Sequence, residues 1–192
     1  MVEQLAIRLM TQDDADALGE LYQRNQHLFS TDEPGRDPMF FTPKGQRNAV
    51  PEVLREHEAG RMWPGLVLAD GELIGRISLF NIRRGHMHVA EVGGWLSSDF
   101  HLQGLATATV RHLLDMAFDT LELHKLQGYA KRDNVASLKV MDNTGFERVG
   151  VLRRHVHDRG QWHDQILYEK LAPWCDGTRF TPEDTSHGPD QT

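Results

Sequence analysis

The first hydrophobic pattern in the chain is an alternation that gives way to a helical period. Leu5, Ile7 and Leu9 alternate with polar residues, which predicts a short β-strand over residues 1–9. Thr11 then has the character of a helix N-cap, with three aspartates in the turns that follow it. The apolar positions of the predicted helix are Ala15, Leu18, Leu21 and Tyr22.

The pattern is lost in the next segment. Residues 29–50 are rich in Pro, Gly, Asp and Arg, which predicts a long irregular segment of the kind that is usually functional or mobile. Pro51 suits the first position of a second helix that runs to about Ala59.

Three strands are predicted in the middle of the chain, over residues 66–68, 73–82 and 87–96. Asp70-Gly71 is a strong hairpin signal between the first two, and a second turn falls at residues 83–85. Gly93 and Gly94 interrupt the third strand, and glycines at such positions mark a bulge or a close approach to the backbone.

The clearest helical period lies in the second half and predicts a helix over residues 104–121. Its apolar face consists of Ala106, Val110, Leu113, Leu114, Ala117, Phe118 and Leu121. A strand over residues 126–130, a helix from Asn134 to Gly145 and a hairpin around residues 158–160 follow. This mixed order of strands and helices predicts an α+β domain with a mixed sheet.

Composition narrows the class of protein. The 192 residues carry a net charge of −7, and 39% of them are hydrophobic, which favours one globular domain and disfavours non-specific binding to nucleic acid. Cys175 is the single cysteine, so a disulfide within the chain and a cysteine-rich zinc site are excluded. No apolar run is long enough to cross a bilayer and the first residues do not resemble a signal peptide, so we expect a cytoplasmic protein. We expect the domain to span residues 1–172 and residues 173–192 to form a disordered polar tail.

The connection between the third middle strand and the long helix is the most informative stretch. Backbone N–H groups at a helix N-terminus lack helical partners and favour an anion, typically a phosphate. Gly104, Ala106 and Thr107 are small, so a pyrophosphate could approach the backbone here. The alternative is an ordinary strand-to-helix connection. Neither the P-loop ending Gly-Lys-Ser/Thr nor the glycines of a Rossmann fingerprint are present.

A second stretch begins where the strand over residues 126–130 leads into a helix. Asn134 suits the helix N-cap, and Ser137, three residues later, is of a type common on exposed first turns. The two stretches are more informative together than either is alone.

Together they resemble the GNAT superfamily of acetyl-CoA-dependent N-acetyltransferases, most closely its RimJ/RimL-like branch, which acetylates ribosomal proteins. The family's acyl-CoA signature, Gln/Arg-x-x-Gly-x-Gly/Ala, falls on residues 101–106. Gly104 and Ala106 match it. His101 replaces the usual Gln or Arg, and Leu102 stands where this branch often has glycine.

Three further segments resemble the same branch in the same order, so that the resemblance covers roughly residues 5–171. They are the strand at residues 90–96, the second CoA-contacting segment at residues 134–146, and the C-terminal hairpin from residue 146, which includes Asp164 and Tyr168.

The resemblance implies a fold and a cofactor. The fold is a twisted mixed sheet of about six or seven strands with helices on both faces and a splay between the central strands near Gly93-Gly94, which pantetheine enters. The co-substrate is acetyl-CoA, and no metal is implied. The residues implied to bind the cofactor are Trp95, Leu96, Ser97, His101, Leu102, Gln103, Gly104, Ala106, Thr107 and Asn134.

The implied chemistry is direct acetyl transfer to an amine, which must first lose its proton. Glu91 is the candidate general base, directly or through water. Ser137 is the candidate hydrogen-bond donor to the departing CoA sulfur, and backbone N–H groups near Trp95 and Leu96 could polarise the thioester carbonyl. A covalent intermediate is not needed, and the chain has no Gly-x-Ser-x-Gly nucleophile motif.

Eleven histidines suggest a metal site as an alternative. His86 and His88 would alternate on one strand face, as would His155 and His157, and paired histidines can chelate a metal. Both pairs lie beside predicted turns, where exposed polar residues are expected, so we do not expect a metal. One of them, or His163, could instead line the acceptor site and carry a proton.

The sequence leaves the acceptor open. A protein or peptide N-terminal amine and a small-molecule amine, such as an antibiotic or a polyamine, are all compatible with it, and a homodimer is compatible too. A different class is an acyl-CoA-binding regulator without transferase activity. The departures at His101 and Leu102 favour that class, and the presence of Glu91 and Ser137 argues against it. A metal-dependent or purely structural protein is the third class.

Overall fold

A computed structural model describes residues 2–29, 37–158 and 160–175. These residues form one seven-stranded mixed sheet with four α-helices, which confirms the predicted fold class. The strands are β1 (Leu5–Leu9), β2 (Trp63–Ala69), β3 (Glu72–Arg83), β4 (Val89–Leu96), β5 (Lys125–Lys131), β6 (Glu147–Asp158) and β7 (Gln161–Leu171). The helices are α1 (Ala15–Arg24), α2 (Pro43–Glu58), α3 (Leu105–Asp115) and α4 (Val135–Asn143).

The spatial order of the strands is β1-β2-β3-β4-β5-β7-β6. Every neighbouring pair is antiparallel except β4 and β5, which run parallel because α3 lies between them in the chain. The parallel pair therefore lies at the centre of the sheet, with antiparallel hairpins on both sides.

Two hydrophobic cores cover the two faces of the sheet. On one face, α1 and α2 pack their apolar stripes around Leu18, Tyr22 and Val50. On the other face, α3 and its neighbours pack around Leu113, Leu126 and Phe118. Helices on both faces were expected, and α3 follows its predicted stripe. Its last turn is a π-helix, Met116–Thr120, so the predicted helix over residues 104–121 has two geometries.

Two predictions are wrong in part: residues 29–50 are not irregular throughout, and the second helix does not start at Pro51. A 3₁₀ turn occupies Pro38–Phe41, and α2 already begins at Pro43, capped by the Thr42 hydroxyl, which accepts a hydrogen bond from the Gly45 N–H at 3.1 Å. Pro51 lies inside the helix, where it removes one backbone hydrogen bond. The packing of Val50 and Phe41 against α1 stabilises the helix despite that loss. Residues 30–36 of the segment lie outside the described residues.

Two details of β4 differ from the predicted strand over residues 87–96. The strand begins at Val89, so His86 and His88 lie in the preceding turn and do not share a strand face. The pairing with β3 is regular through Gly93 and Gly94, so no bulge occurs there. A Cβ on Gly94 would lie 2.5 Å from the Arg76 carbonyl oxygen, so close approach of β3 is what requires the glycine.

The predicted polar tail begins with an ordered turn. The Ala172 N–H donates to the His124 carbonyl, and Trp174 and Cys175 pack against the core on the α3 face. Residues 176–192, the rest of that predicted tail, lie outside the described residues. In the described ranges, no helix is long and apolar enough to cross a membrane.

Candidate active site

The two parallel strands at the centre of the sheet separate part of the way along their length. Val92 and Gly128 are their last pair, although β4 continues to Leu96 and β5 to Lys131. The strands therefore form a wedge that opens towards their carboxyl ends. The strands separate directly after Val92, near Gly93 and Gly94, where the family resemblance implied a splay.

The β4 side of the wedge presents backbone groups. The Ser97 N–H donates to the Ile74 carbonyl at 2.7 Å, so Ser97 bonds towards β3. Alternate residues of a strand point their backbone groups to opposite sides, so Gly94 and Leu96 direct theirs into the wedge. Trp95, between them, bonds towards β3.

The Trp95 side chain belongs to an aromatic cluster on the α1 face, formed by Tyr22, Phe29, Phe40, Phe41 and Trp95. The ring centroids of Trp95 lie 4.9 Å from those of both Tyr22 and Phe29. Trp95 thus joins β4 to α1.

The predicted cofactor loop, residues 97–104, connects β4 to α3. It contains a 3₁₀ turn, Ser98–Phe100, and ends at Gly104, whose φ of 78° is a left-handed conformation that favours glycine. A Cβ at Gly104 would meet no atom within 4 Å, so the space beside it is open.

The first turn of α3 supplies free backbone donors. The Ala108 N–H donates to the Gly104 carbonyl at 3.1 Å and begins the helical ladder. The N–H groups of Leu105, Ala106 and Thr107 precede it and have no intrahelical acceptor. Together with the open space at Gly104, they form a cradle suited to an anionic phosphate.

Three side chains of the loop have distinct environments. His101 Nε2 lies 2.9 Å from the Leu96 carbonyl oxygen and braces the loop against the end of β4. Gln103 Nε2 donates to the Asp99 carbonyl at 3.0 Å. Leu102 is fully exposed with a φ of 61°. The imidazole therefore shapes the loop through the strand backbone.

The other side of the wedge is closed by α4. The Asn134 carboxamide oxygen accepts a hydrogen bond from the Ser137 N–H at 3.1 Å, so Asn134 is an N-cap. Met141 lies over the branch point, since its Cε would be 2.6 Å from a Cβ on Gly128. Ser137 is one helical turn earlier and shares the face of Met141, which places it beside the open part of the wedge.

Glu91 lies on the opposite face of the sheet, immediately before the branch point, and pairs with Gln127 of β5. It lines two cavities, of about 400 and 610 Å³, which also share Phe80. The smaller extends over β5 and the C-terminal hairpin, and the larger extends towards the C-terminal end of α2, where it reaches Arg61 and Arg83. Glu91 thus belongs to the shared wall of two adjoining cavities.

The smaller cavity contains residues that the sequence did not single out. Tyr129 lies in it with its ring centroid 5.2 Å from that of His155, and His155 Nδ1 lies 2.8 Å from the Gln165 side-chain oxygen. Burial and the nearby Glu91 carboxylate raise the pKa of Tyr129. The sequence named His155 as one of several histidines that could line the acceptor site, whereas the spacing of Tyr129 and Gln165 carries no signal.

A second carboxylate on this face has a structural role. Glu169 Oε1 accepts hydrogen bonds from Lys125 Nζ at 2.9 Å and Gln127 Nε2 at 2.7 Å. Burial would raise the pKa of Glu169, but these two donors outweigh it and lower that pKa. Glu169 is therefore held as an ion, whereas Glu91 faces open space.

Sequence reasoning also missed Asn25, which follows α1. Its side chain is 1% exposed, and its carboxamide oxygen accepts hydrogen bonds from Ser97 Oγ and Ser98 N–H at 3.1 and 2.9 Å. A lone asparagine after a helix is typical of a C-cap, so nothing in the sequence linked it to residues more than 70 positions away.

The described histidines were one candidate for a metal site. In the described part of the chain, no three His, Cys, Asp or Glu side chains are arranged to hold a metal ion.

Comparison with known proteins gives a family and close structural relatives. Residues 4–147 match the family described as "Acetyltransferase (GNAT) domain". Among curated proteins, "Probable N-acetyltransferase YjcK" of Bacillus subtilis is 30% identical over 169 residues, which cover 87% of this chain and 93% of that protein. The ribosomal protein uS5-alanine N-acetyltransferase of Escherichia coli is 27% identical over 182 residues, which cover 91% of this chain and 92% of that protein.

Among solved structures, Mycobacterium smegmatis RimJ in complex with CoA-disulfide superimposes with a TM-score of 0.83 at 26% sequence identity. The match covers 88% of this chain and 82% of that one. The sheet, the wedge and the helices on both faces therefore belong to an arrangement already seen with a CoA derivative bound.

Proposed function

The chain belongs to the GNAT acetyltransferase family, and on that premise we propose that it moves the acetyl group of acetyl-CoA to the α-amine of a peptide or protein N-terminus. N-acetyltransferase activity follows from the family and its relatives. The acceptor and the roles of individual residues are the proposal.

The wedge between β4 and β5 would receive the pantetheine arm and the cradle at α3 the pyrophosphate. The fit rests on three features of the chain: Gly94 and Leu96 point backbone groups into the wedge, the first N–H groups of α3 lack acceptors, and Gly104 borders open space. Acetyl-CoA supplies the acetyl thioester.

In the proposed reaction, Glu91 takes a proton from the acceptor ammonium, directly or through water. The free amine attacks the thioester carbonyl carbon, and the charge on its oxygen is stabilised by the N–H groups of Gly94 and Leu96. The C–S bond then breaks, the nitrogen passes its second proton to the departing sulfur or to solvent to leave the neutral amide, and the Ser137 hydroxyl donates a hydrogen bond to that sulfur.

One observation carries the choice of acceptor: Glu91 lines both of two adjoining cavities. We propose that the two cavities together form the acceptor groove. A terminal residue can occupy one cavity while the following residues occupy the other, which an isolated small amine would not require. An α-amine has a pKa of about 7.7–8.0 against about 10.4 for lysine, so a single carboxylate can deprotonate enough of it near neutral pH. The named substrate of the Escherichia coli relative, a ribosomal-protein alanine, is consistent with this choice. A cytoplasmic location goes with the proposal, because new protein N-termini appear there.

The proposal is tested by thiol release from acetyl-CoA with four acceptors: short peptides with free N-termini, the same peptides with blocked N-termini and a free lysine, spermidine, and an aminoglycoside. We expect kcat/KM to be highest for peptides with a free N-terminus, and mass spectrometry to place the acetyl group on the α-nitrogen. A higher kcat/KM for spermidine or the aminoglycoside would overturn the acceptor, and no thiol release with any amine would favour a CoA-binding regulator.

A further inference from the structure

Asn25 connects the helix on the acceptor face to the start of the cofactor loop. It follows α1, which carries the Tyr22 ring of the aromatic cluster, and it contacts Ser97 and Ser98, where the chain leaves β4. From this connection we propose that Asn25 is a positioning residue that holds the cofactor loop in the shape that binds CoA. The inference rests on the cofactor site proposed above.

The hydrogen bonds of Asn25 divide between the two elements. Its carboxamide Nδ2 donates to the Leu21 carbonyl of α1 at 3.0 Å, which fixes the orientation of the side chain. Its Oδ1 accepts from Ser97 Oγ at 3.1 Å, from Ser98 N–H at 2.9 Å and from Ser98 Oγ at 3.3 Å. The buried Asn25 Oδ1 thus accepts three hydrogen bonds from Ser97 and Ser98.

Asn25 acts through the residues that it contacts and not on the cofactor. Its side chain is 1% exposed, and both of its polar atoms already have partners within the protein. A substitution at Asn25 can therefore alter CoA affinity only indirectly, by changing the positions of Ser97 and Ser98 or by weakening α1.

The loop entry has few other restraints. Besides Asn25, Ser97 is held by its N–H bond to the Ile74 carbonyl. The 3₁₀ turn adds the Phe100 N–H bond to the Ser97 carbonyl at 3.0 Å and the His101 N–H bond to the Ser98 carbonyl at 3.1 Å, and the His101 imidazole contacts the Leu96 carbonyl. Without Asn25, the Ser98 N–H and both hydroxyls would lose their acceptor inside the protein, and buried donors must then find new partners. The loop would shift to satisfy them, and the N–H groups that follow Gly104 would shift with it.

The test is Asn25→Ala in the full chain, measured by calorimetric titration with CoA and by initial rates with acetyl-CoA. We expect the Kd for CoA and the KM for acetyl-CoA to rise about tenfold, corresponding to 1.4 kcal/mol. At saturating acetyl-CoA, we expect kcat to stay within about threefold of wild type, because the carboxylate and the acceptor groove are unchanged.

Asp14→Asn is the matched control for lost stability. Asp14 lies at the opposite end of the same helix, where it pairs with Arg8, so the variant weakens α1 without touching the loop. We expect a lower Tm in both variants and a raised Kd for CoA only in Asn25→Ala. An Asn25→Ala protein whose Kd stays within twofold of wild type would overturn the inference, as would an equal rise in Asp14→Asn.

Ser98→Ala covers the case in which Asn25→Ala does not fold. It removes one hydroxyl that donates to Asn25 and keeps the backbone bond, so we expect a rise in Kd of about twofold to threefold, within the range of one hydrogen bond. Gly104→Asp, titrated in parallel, separates the two proposals. If Gly104→Asp weakens CoA binding while Asn25→Ala and Ser98→Ala do not, the loop is the cofactor site and the role of Asn25 is wrong. If none of the three alters the Kd, the cofactor site itself is wrong.

Discussion

Val92 and Gly128 form the last backbone pair between β4 and β5, directly beyond Glu91. Glu91, the proposed proton acceptor, therefore lies at the narrow end of the wedge, on one face of the sheet. Met141 approaches the same point from the other face, and Ser137 lies one helical turn earlier in α4. Acceptor and cofactor can thus reach one carbonyl carbon from opposite sides of the sheet, which direct transfer requires.

Gly104→Asp tests the phosphate cradle. The substitution places a carboxylate beside the first N–H groups of α3, so it would compete with and repel a pyrophosphate. We expect the Kd for CoA to rise tenfold or more, equivalent to about 1.4 kcal/mol or more, in a calorimetric titration. Gly85→Asp is the matched control, because Gly85 also has a positive φ and open space around it but lies at the other end of β4. An unchanged Kd for Gly104→Asp, or an equal rise in Gly85→Asp, would contradict this placement.

His101→Ala tests the contact between the His101 imidazole and the Leu96 carbonyl, at the position where the family usually has Gln or Arg. The variant removes the bond to the Leu96 carbonyl and leaves that group to rotate with the end of β4. We expect the KM for acetyl-CoA to rise by about fivefold, in keeping with about 1 kcal/mol for a net hydrogen bond. His112→Ala, an exposed histidine of α3, should leave the KM unchanged. If both variants have a wild-type KM, the imidazole does not shape the site.

The sequence predicted the regular parts of this fold because their periodicity is local. The alternation in β1, the stripe of α3 and the Asp70-Gly71 turn each depend on neighbours a few positions apart. The start of α2 was missed because Pro51 looked like a first helical residue, while the Thr42-Pro43 start lay in a segment with no apolar period.

The residues of the candidate site also fall into those that local sequence indicates and those that it does not. Glu91, Gly104 and Ser137 follow motif spacing, so the family resemblance could assign them. Asn25 and Tyr129 could not be assigned, because their importance depends on contacts made by the folded sheet. Asn25 meets Ser97 across 72 positions, and Tyr129 meets His155 only after β7 inserts between β5 and β6. Such pairings carry no local periodicity.

Asp14→Asn also has a pH signature. The Arg8 guanidinium, despite partial burial of the carboxyl, lowers the pKa of Asp14 to about 2. A carboxyl with a depressed folded pKa stabilises the protein above its unfolded pKa of about 3.9 and loses that contribution as the pH falls towards 2. We expect Asp14→Asn to lower Tm by about 2–4 °C at pH 7, as for about 1 kcal/mol in a domain of this size. Calorimetric scans should show the difference in Tm between wild type and Asp14→Asn disappearing below about pH 4. A difference in Tm that does not depend on pH would exclude the ion pair as its cause.

Two truncations test where the folded domain ends. Residues 176–192 contain one large apolar residue, Phe180, so a chain that ends at Cys175 should keep its Tm within about 2 °C. A chain that ends at Ala172 also loses Trp174 and Cys175, which pack on the core, and the contact of 2.7 Å between Cys175 Sγ and His124 Nδ1. We expect that chain to lose about 4 °C or more. If the chain that ends at Cys175 also loses about 4 °C or more in Tm, residues 176–192 contribute to stability.

Glu169→Gln is the comparison needed for a test of Glu91. Both carboxylates lie on the same face, on either side of Gln127 in the register of β4, β5 and β7. Glu169 is bound by Lys125 and Gln127 and its pKa is lowered, so it is a poor proton acceptor. Removing its charge changes the local field without removing the proposed base, so we expect the pH profile of kcat to keep its shape.

Glu91→Gln tests the mechanism itself, since it keeps the side-chain shape and removes the base. We expect kcat with a peptide acceptor to fall by about 10²–10⁴-fold at pH 7, the usual contribution of one acid–base group. The Kd for CoA should hardly change, because Glu91 lies on the acceptor face. The loss should shrink as the pH rises towards 9, because an α-amine with a pKa near 8 then loses its proton without help. A uniform loss at every pH would assign Glu91 to orienting the amine, and a wild-type rate at pH 7 would transfer the role of base to His155 of the same cavity.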